Sequence, residues 1–68
     1  MNLSKYTKPT LDGWRLLLNL TEEEELVFCL LSKGKYRQEI ADRVGMSIAT
    51  IDRRIKTIRN KMEQLGGQ

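Results

Sequence analysis

The sequence predicts an all-α fold, a small three- to four-helix bundle containing a helix-turn-helix. Apolar residues recur at steps of three and four through most of the chain. Thr21-Glu22-Glu23-Glu24 spells a helix start, and isolated glycines at Gly34 and Gly45 punctuate the periodic stretches.

Residues 1–19 read as an N-terminal arm with a possible short helix. Positions 1–10, with Lys5, Lys8 and Pro9, carry no apolar period. Leu11, Trp14, Leu17 and Leu18 then fall at helical spacing, although Gly13 weakens a helix there. Residues 11–19 are therefore either a short helix or a docked extended segment, with Trp14 as a core anchor.

Residues 20–65 form the expected helix-turn-helix domain. Thr21 caps the free amides of its helix while Glu24, three residues on, reaches back to the cap. Four consecutive glutamates occupy the first turn, where the helix dipole favours negative charge, so the acidic run is a structural device rather than a metal site. That helix should cover about 21–33 and stop at Gly34, whose freedom to adopt positive φ suits a helix end. A second, shorter helix is expected over 36–44, ended by Gly45. Ser47 caps a third over 48–64, marked by Ile48, Ile51, Ile55, Ile58, Met62 and Leu65. Residues 66–68 should be a flexible tail. The expected core is Leu20, Leu26, Val27, Leu30, Ile40, Ala41, Val44, Ile51, Ile55 and Ile58.

Composition narrows the function classes. With 68 residues there is room for a single core, and 40% hydrophobic with 31% charged residues describes an ordinary globular domain. Cys29 is the only cysteine and histidine is absent, so no internal disulfide can form and the usual zinc ligand sets cannot be assembled. Cys29, among Phe28, Leu30 and Leu31, reads as a small buried hydrophobe. The glutamate run has no nucleophile, phosphate loop or paired base beside it, so neither catalysis nor a cofactor is expected. No apolar run approaches the roughly 20 residues of a membrane helix, and Met1–Lys8 lacks the apolar stretch of a signal peptide. A cytoplasmic protein that makes no membrane contact is expected.

Charge is unevenly distributed. Residues 1–32 carry three basic and five acidic side chains, whereas residues 33–68 carry nine basic and four acidic. That asymmetry points to a polyanion met by the C-terminal half. Projecting the third helix at about 100° per residue sets Ala49, Arg53, Lys56, Thr57 and Asn60 opposite the isoleucine stripe. An α-helix fits the major groove, and Arg53 is the best candidate for a paired hydrogen bond to guanine, with Lys56 and Thr57 beside it. Asp52 would accept from a cytosine amino group or orient an arginine. Arg54, Arg59 and Lys61, with Lys35 and Arg37 ahead of them, suit backbone phosphates. The plainer reading of the same residues is a solvated basic face on a helix of a bundle.

Leu20-Thr21 with Glu24, Gly34, Glu39-Ile40-Ala41, Gly45, Ser47, Thr50-Ile51, Ile58 and Lys61-Met62 resembles the LuxR/GerE-type helix-turn-helix family. The match runs without a gap from Leu20 to Met62. It implies DNA recognition through the helix after Ser47, with base contacts at Asp52, Arg53 and Lys56 and phosphate contacts near Ser47, Thr50 and Arg59. Glu23 stands where that family usually has arginine, and Arg54 where it often has histidine. Arg54 is also similar to region four of sigma factors, which touches RNA polymerase. The family's fourth, dimer-forming helix has no counterpart after Met62.

The function expected from all this is double-stranded DNA binding by a small transcriptional regulator of bacterial or phage type, monomeric or a weak homodimer. Two alternatives stay open. One is a protein-interaction module that binds RNA polymerase or another regulator, using an apolar patch around Trp14 and Tyr36. The other is a phage DNA-packaging adaptor.

Overall fold

The computed structural model describes residues 3–66 and contains four helices: α1 (Lys8–Leu18), α2 (Glu22–Ser32), α3 (Arg37–Val44) and α4 (Ile48–Gly66). The longest, α4, is the spine. Each of the other three packs against it, and α2 also packs against α3. No strand occurs among the described residues.

The N-terminal segment is more ordered than its sequence suggests. Pro9 sits in the first turn of α1, where its fixed φ suits a helix and its missing N–H leaves no donor unpaired. The helix therefore begins at Lys8, ahead of the first periodic leucine, and the helical alternative for residues 11–19 is the one adopted. Asn19, at φ 54°, ends it in the left-handed region that asparagine tolerates. Residues 3–7, expected to lack structure, are docked. Leu3 is buried, and its backbone N–H donates to the Leu31 carbonyl at 3.1 Å. Trp14 packs partly buried against the core and meets Tyr6 edge to face, with ring centroids 4.7 Å apart.

The start of α2 is a complete capping box. The Glu24 N–H donates to Thr21 Oγ1 at 3.2 Å, and the Thr21 N–H donates to Glu24 Oε1 at 3.1 Å. Beyond its last turn the chain turns back at Gly34, φ 81°, and the Lys35 N–H returns to the Leu30 carbonyl at 3.1 Å. Gly45, φ 72°, performs the same service for α3, its N–H donating to the Ala41 carbonyl at 2.9 Å. The three residues 45–47 then carry the chain into α4, where Ser47 Oγ accepts the Thr50 N–H at 3.2 Å.

The core comprises Val27, Phe28 and Leu31 of α2, Ile40 and Ala41 of α3, Ile51, Ile55 and Ile58 of α4, and Leu3, Leu11 and Leu18 from the N-terminal segment. Leu20, Leu30 and Val44 pack against it, partly buried. Leu26 does not belong to it. Its side chain is 56% exposed, because the inward face of α2 is set by Glu24, Val27, Phe28 and Leu31 at steps of three, one and three, and Leu26 lies on the opposite side. Ile48 and Leu65, at the two ends of the α4 stripe, are also exposed. Of the expected tail, Gly66 is the last residue of α4, and 67–68 lie outside the described residues.

Candidate nucleic-acid interface

Because Ile51, Ile55 and Ile58 point into the core, the residues about 180° away on α4 must face solvent. Arg53 and Lys56 do so, and both are exposed. Arg53 makes only a long contact, Nη2 to Thr50 Oγ1 at 3.5 Å. Thr57 is half-buried and donates its hydroxyl to the Arg53 carbonyl at 3.1 Å, a bond within the helix. Ser47 donates to Thr50 Oγ1 at 2.9 Å while it caps α4, so these two hydroxyls already have partners.

The other expected contacts divide by their ion pairs. Arg37 Nη1 lies 3.1 and 3.3 Å from the two carboxylate oxygens of Asp52, joining the start of α3 to α4. Of the two roles open to Asp52, this geometry shows the orientation of an arginine. Lys35 pairs with Glu39 at 3.6 Å, and Glu39 also accepts from Arg43. Arg54 reaches Glu23 at 2.8 Å, and Lys61 reaches Glu24 at 2.6 Å and the Asn19 carbonyl at 3.4 Å. The last two cations thus tie α4 to α2 and lie on its flank, not on its outer strip.

Burial pushes the Glu24 carboxyl up, but the hydrogen bonds from Lys61 and from the Thr21 amide, with the charges of Lys61 and Arg54, outweigh it and hold the group below the ordinary glutamate range. On the other side of α2, Arg15 bridges Asp12 and Glu25. Its hydrogen bond to Glu25 is the largest influence raising its already high pKa.

Among the described residues, Lys5, Lys8, Lys33, Arg53, Lys56 and Arg59 are the basic side chains with no carboxylate within 4.0 Å. Three of those six stand on the exposed side of α4. Lys56 and Arg59, but not Arg53, border an open groove of about 680 Å³ between α4 and the start of α3, where Tyr36, Gln38 and Asn60 add polar edges and Glu63 supplies a negative charge. Sequence reasoning gave Tyr36 a place only in the apolar patch of the protein-interaction alternative, and gave Gln38 none. Both become neighbours of Lys56 only because α3 docks its N-terminal end on α4, and no spacing within either helix announces that. Tyr36 precedes α3 without capping it and is 78% exposed.

Among the described residues no group of three or more metal-ligating side chains occurs, and no helix is long and apolar enough to cross a membrane. Comparison with protein-family models, with curated proteins and with solved structures finds no match in any of the three.

Proposed function

We propose that this chain binds double-stranded DNA as a small sequence-specific transcriptional regulator, α3 and α4 acting as a helix-turn-helix and α4 entering the major groove. One observation supports it above the rest. The uncompensated cations of α4 are Arg53, Lys56 and Arg59, on its exposed side, while Arg54 and Lys61 are spent on ion pairs with α2. A merely solvated helix gains from neutralising its cations, and here three are left open, two of them (Lys56 and Arg59) beside a groove that also offers amide and phenol groups. In this reading Arg53 contacts a base edge, assisted by Lys56 and Thr57. Arg59 meets phosphate, and Asp52 keeps Arg37 from the backbone in the free protein.

One such domain on one site buries only about 600–1,000 Å², so a monomer binds weakly and a second copy strengthens the complex. Two copies related by a two-fold axis would read half-sites about 34–36 Å apart.

Fluorescence anisotropy with random-sequence duplex DNA over a salt series tests the reading. Binding should weaken steeply with salt, and Arg53→Ala/Lys56→Ala should lower affinity and reduce the salt slope by up to about two. Absence of binding at low salt would overturn it in favour of a protein-interaction module, with RNA polymerase as the first partner to test.

A further inference from the structure

We propose that the outward face of α1, with the adjoining notch on α2, is a self-association surface whose occupant is a second copy of this chain. The proposal rests on no assumption about DNA. Leu11 and Leu18 fix the inward side of α1, which leaves Leu16 on the opposite side, 85% exposed, and Leu17 beside it, 66% exposed. A solvated helix gains nothing from two consecutive leucines held in water. On α2 the exposed Leu26 borders an open notch of about 410 Å³, lined also by Leu20 and Cys29 and rimmed by Glu22 and Glu25. Arg15, the residue before Leu16, reaches Glu25 at 3.0 Å, so α1 runs beside the rim of that notch, with Leu16, about 100° round the helix from Arg15, nearer to it than Leu17, about 160° round. One chain therefore carries both an apolar projection and an apolar recess, side by side, as an isologous two-fold contact requires.

Charge selects the same occupant. Arg15 pairs with both Asp12 and Glu25, which leaves the middle of the patch with a single net negative charge. Toward its two ends, at the starts of α1 and α2, stand Lys8 and Glu22, both exposed, and neither has an ion partner among the described residues. A two-fold axis through the patch brings Lys8 of one copy toward Glu22 of the other, twice. The acidic rim repels a polyanion. Since α1 and α2 both pack inward against α4, the core separates this patch from Arg53 and Lys56, and both surfaces can be occupied at once. Three leucines and a shallow notch fall short of the roughly 800 Å² per partner of a stable dimer, so the association is weak in free solution.

Sedimentation equilibrium of the full chain from about 10 μM to about 1 mM tests this. Wild type should self-associate reversibly, and Leu16→Ser/Leu26→Ser should weaken association by about tenfold or more while helix content and melting temperature stay close to wild type. Lys8→Glu and Glu22→Lys should each weaken it, and the double exchange should restore it. A wild type that remains monomeric over the whole range would overturn the proposal. So would leucine and charge variants that associate as wild type does, since the contact would then lie elsewhere.

Discussion

The Lys61 ammonium donates to Glu24 Oε1 at 2.6 Å, and the same oxygen accepts the backbone N–H of Thr21 at 3.1 Å. One carboxylate, 6% exposed, thus closes the capping box of α2 and anchors the last third of α4 to it. Removing the lysine leaves that carboxylate buried with the Thr21 amide as its remaining hydrogen-bond donor among the described residues. Lys61→Met should destabilise the fold by about 2 kcal/mol, measured by urea denaturation at neutral pH. A change under about 0.5 kcal/mol, the range of an ordinary surface substitution, would show that the pair is incidental.

The same contact sets a pH dependence. The folded chain holds Glu24 below its ordinary value, so the unfolded chain binds a proton more readily. The contribution is complete above the ordinary glutamate pKa of about 4.3 and is lost as pH falls through the lower folded value. Urea midpoints for wild type should drop as pH falls from about 5 to 3. Glu24→Gln, less stable at neutral pH, should lose less over that interval. Parallel curves for the two proteins would remove Glu24 from the account.

Phe28 and Leu26 are two residues apart on α2 and should respond in opposite ways. Phe28 is fully buried at the centre of the core, so Phe28→Ala should cost about 3–5 kcal/mol, enough to unfold much of a 68-residue chain at room temperature. Leu26→Ala should change stability by under about 0.5 kcal/mol. Circular dichroism melts of both variants decide between this phase of α2 and one with Leu26 inward.

That pair also marks where the sequence stops being informative. The existence of α2, α3 and α4, the capping box and the stops at Gly34 and Gly45 were all legible, because each depends on residues within one or two turns, whereas α1 was left open between a helix and an extended segment. The phase of α4 was legible too, since its isoleucines are separated by polar residues. Leu26 to Leu31 is six apolar residues in a row, a run with no period to say which of them face inward. Leu3 is buried by docking on Leu31, 28 residues away, which no local pattern encodes. At the candidate interface, the exposure of Arg53 and Lys56 followed from the helical projection. The partners of Arg37, Arg54 and Lys61 did not, because each lies on another element.

Gly45 and Gly13 make a second opposed pair. A Cβ at either position would meet nothing within 4 Å, so sterics with neighbours do not separate them. Backbone conformation does. Gly45 has φ 72°, which a β-carbon disfavours, and Gly45→Ala should cost about 1 kcal/mol, with Gly45→Asn milder. Gly13 lies in the interior of α1, and Gly13→Ala should stabilise by about 0.5–1 kcal/mol, seen as a raised melting temperature. A stabilising Gly45→Ala would contradict the left-handed turn between α3 and α4.

Asp52 and Arg37 both stood among the expected DNA contacts, yet they neutralise each other across α3 and α4 in the free protein. The pair is exposed on both sides, so its contribution to stability is about 0–1 kcal/mol, and Asp52→Asn should fold as wild type does. Its effect should fall on binding. The substitution removes one negative charge from beside the Lys56 and Arg59 groove and releases Arg37 to meet phosphate. Affinity for random-sequence duplex at low salt should rise by about tenfold, and the salt slope should steepen by about one phosphate contact. Preference for a selected site should fall at the same time, because a freed arginine binds any backbone equally well. Anisotropy titrations with random and selected duplexes separate the two effects. If Asp52→Asn weakens binding to both duplexes at every salt concentration, Asp52 contributes through the position it gives Arg37, and the ion pair must persist in the complex.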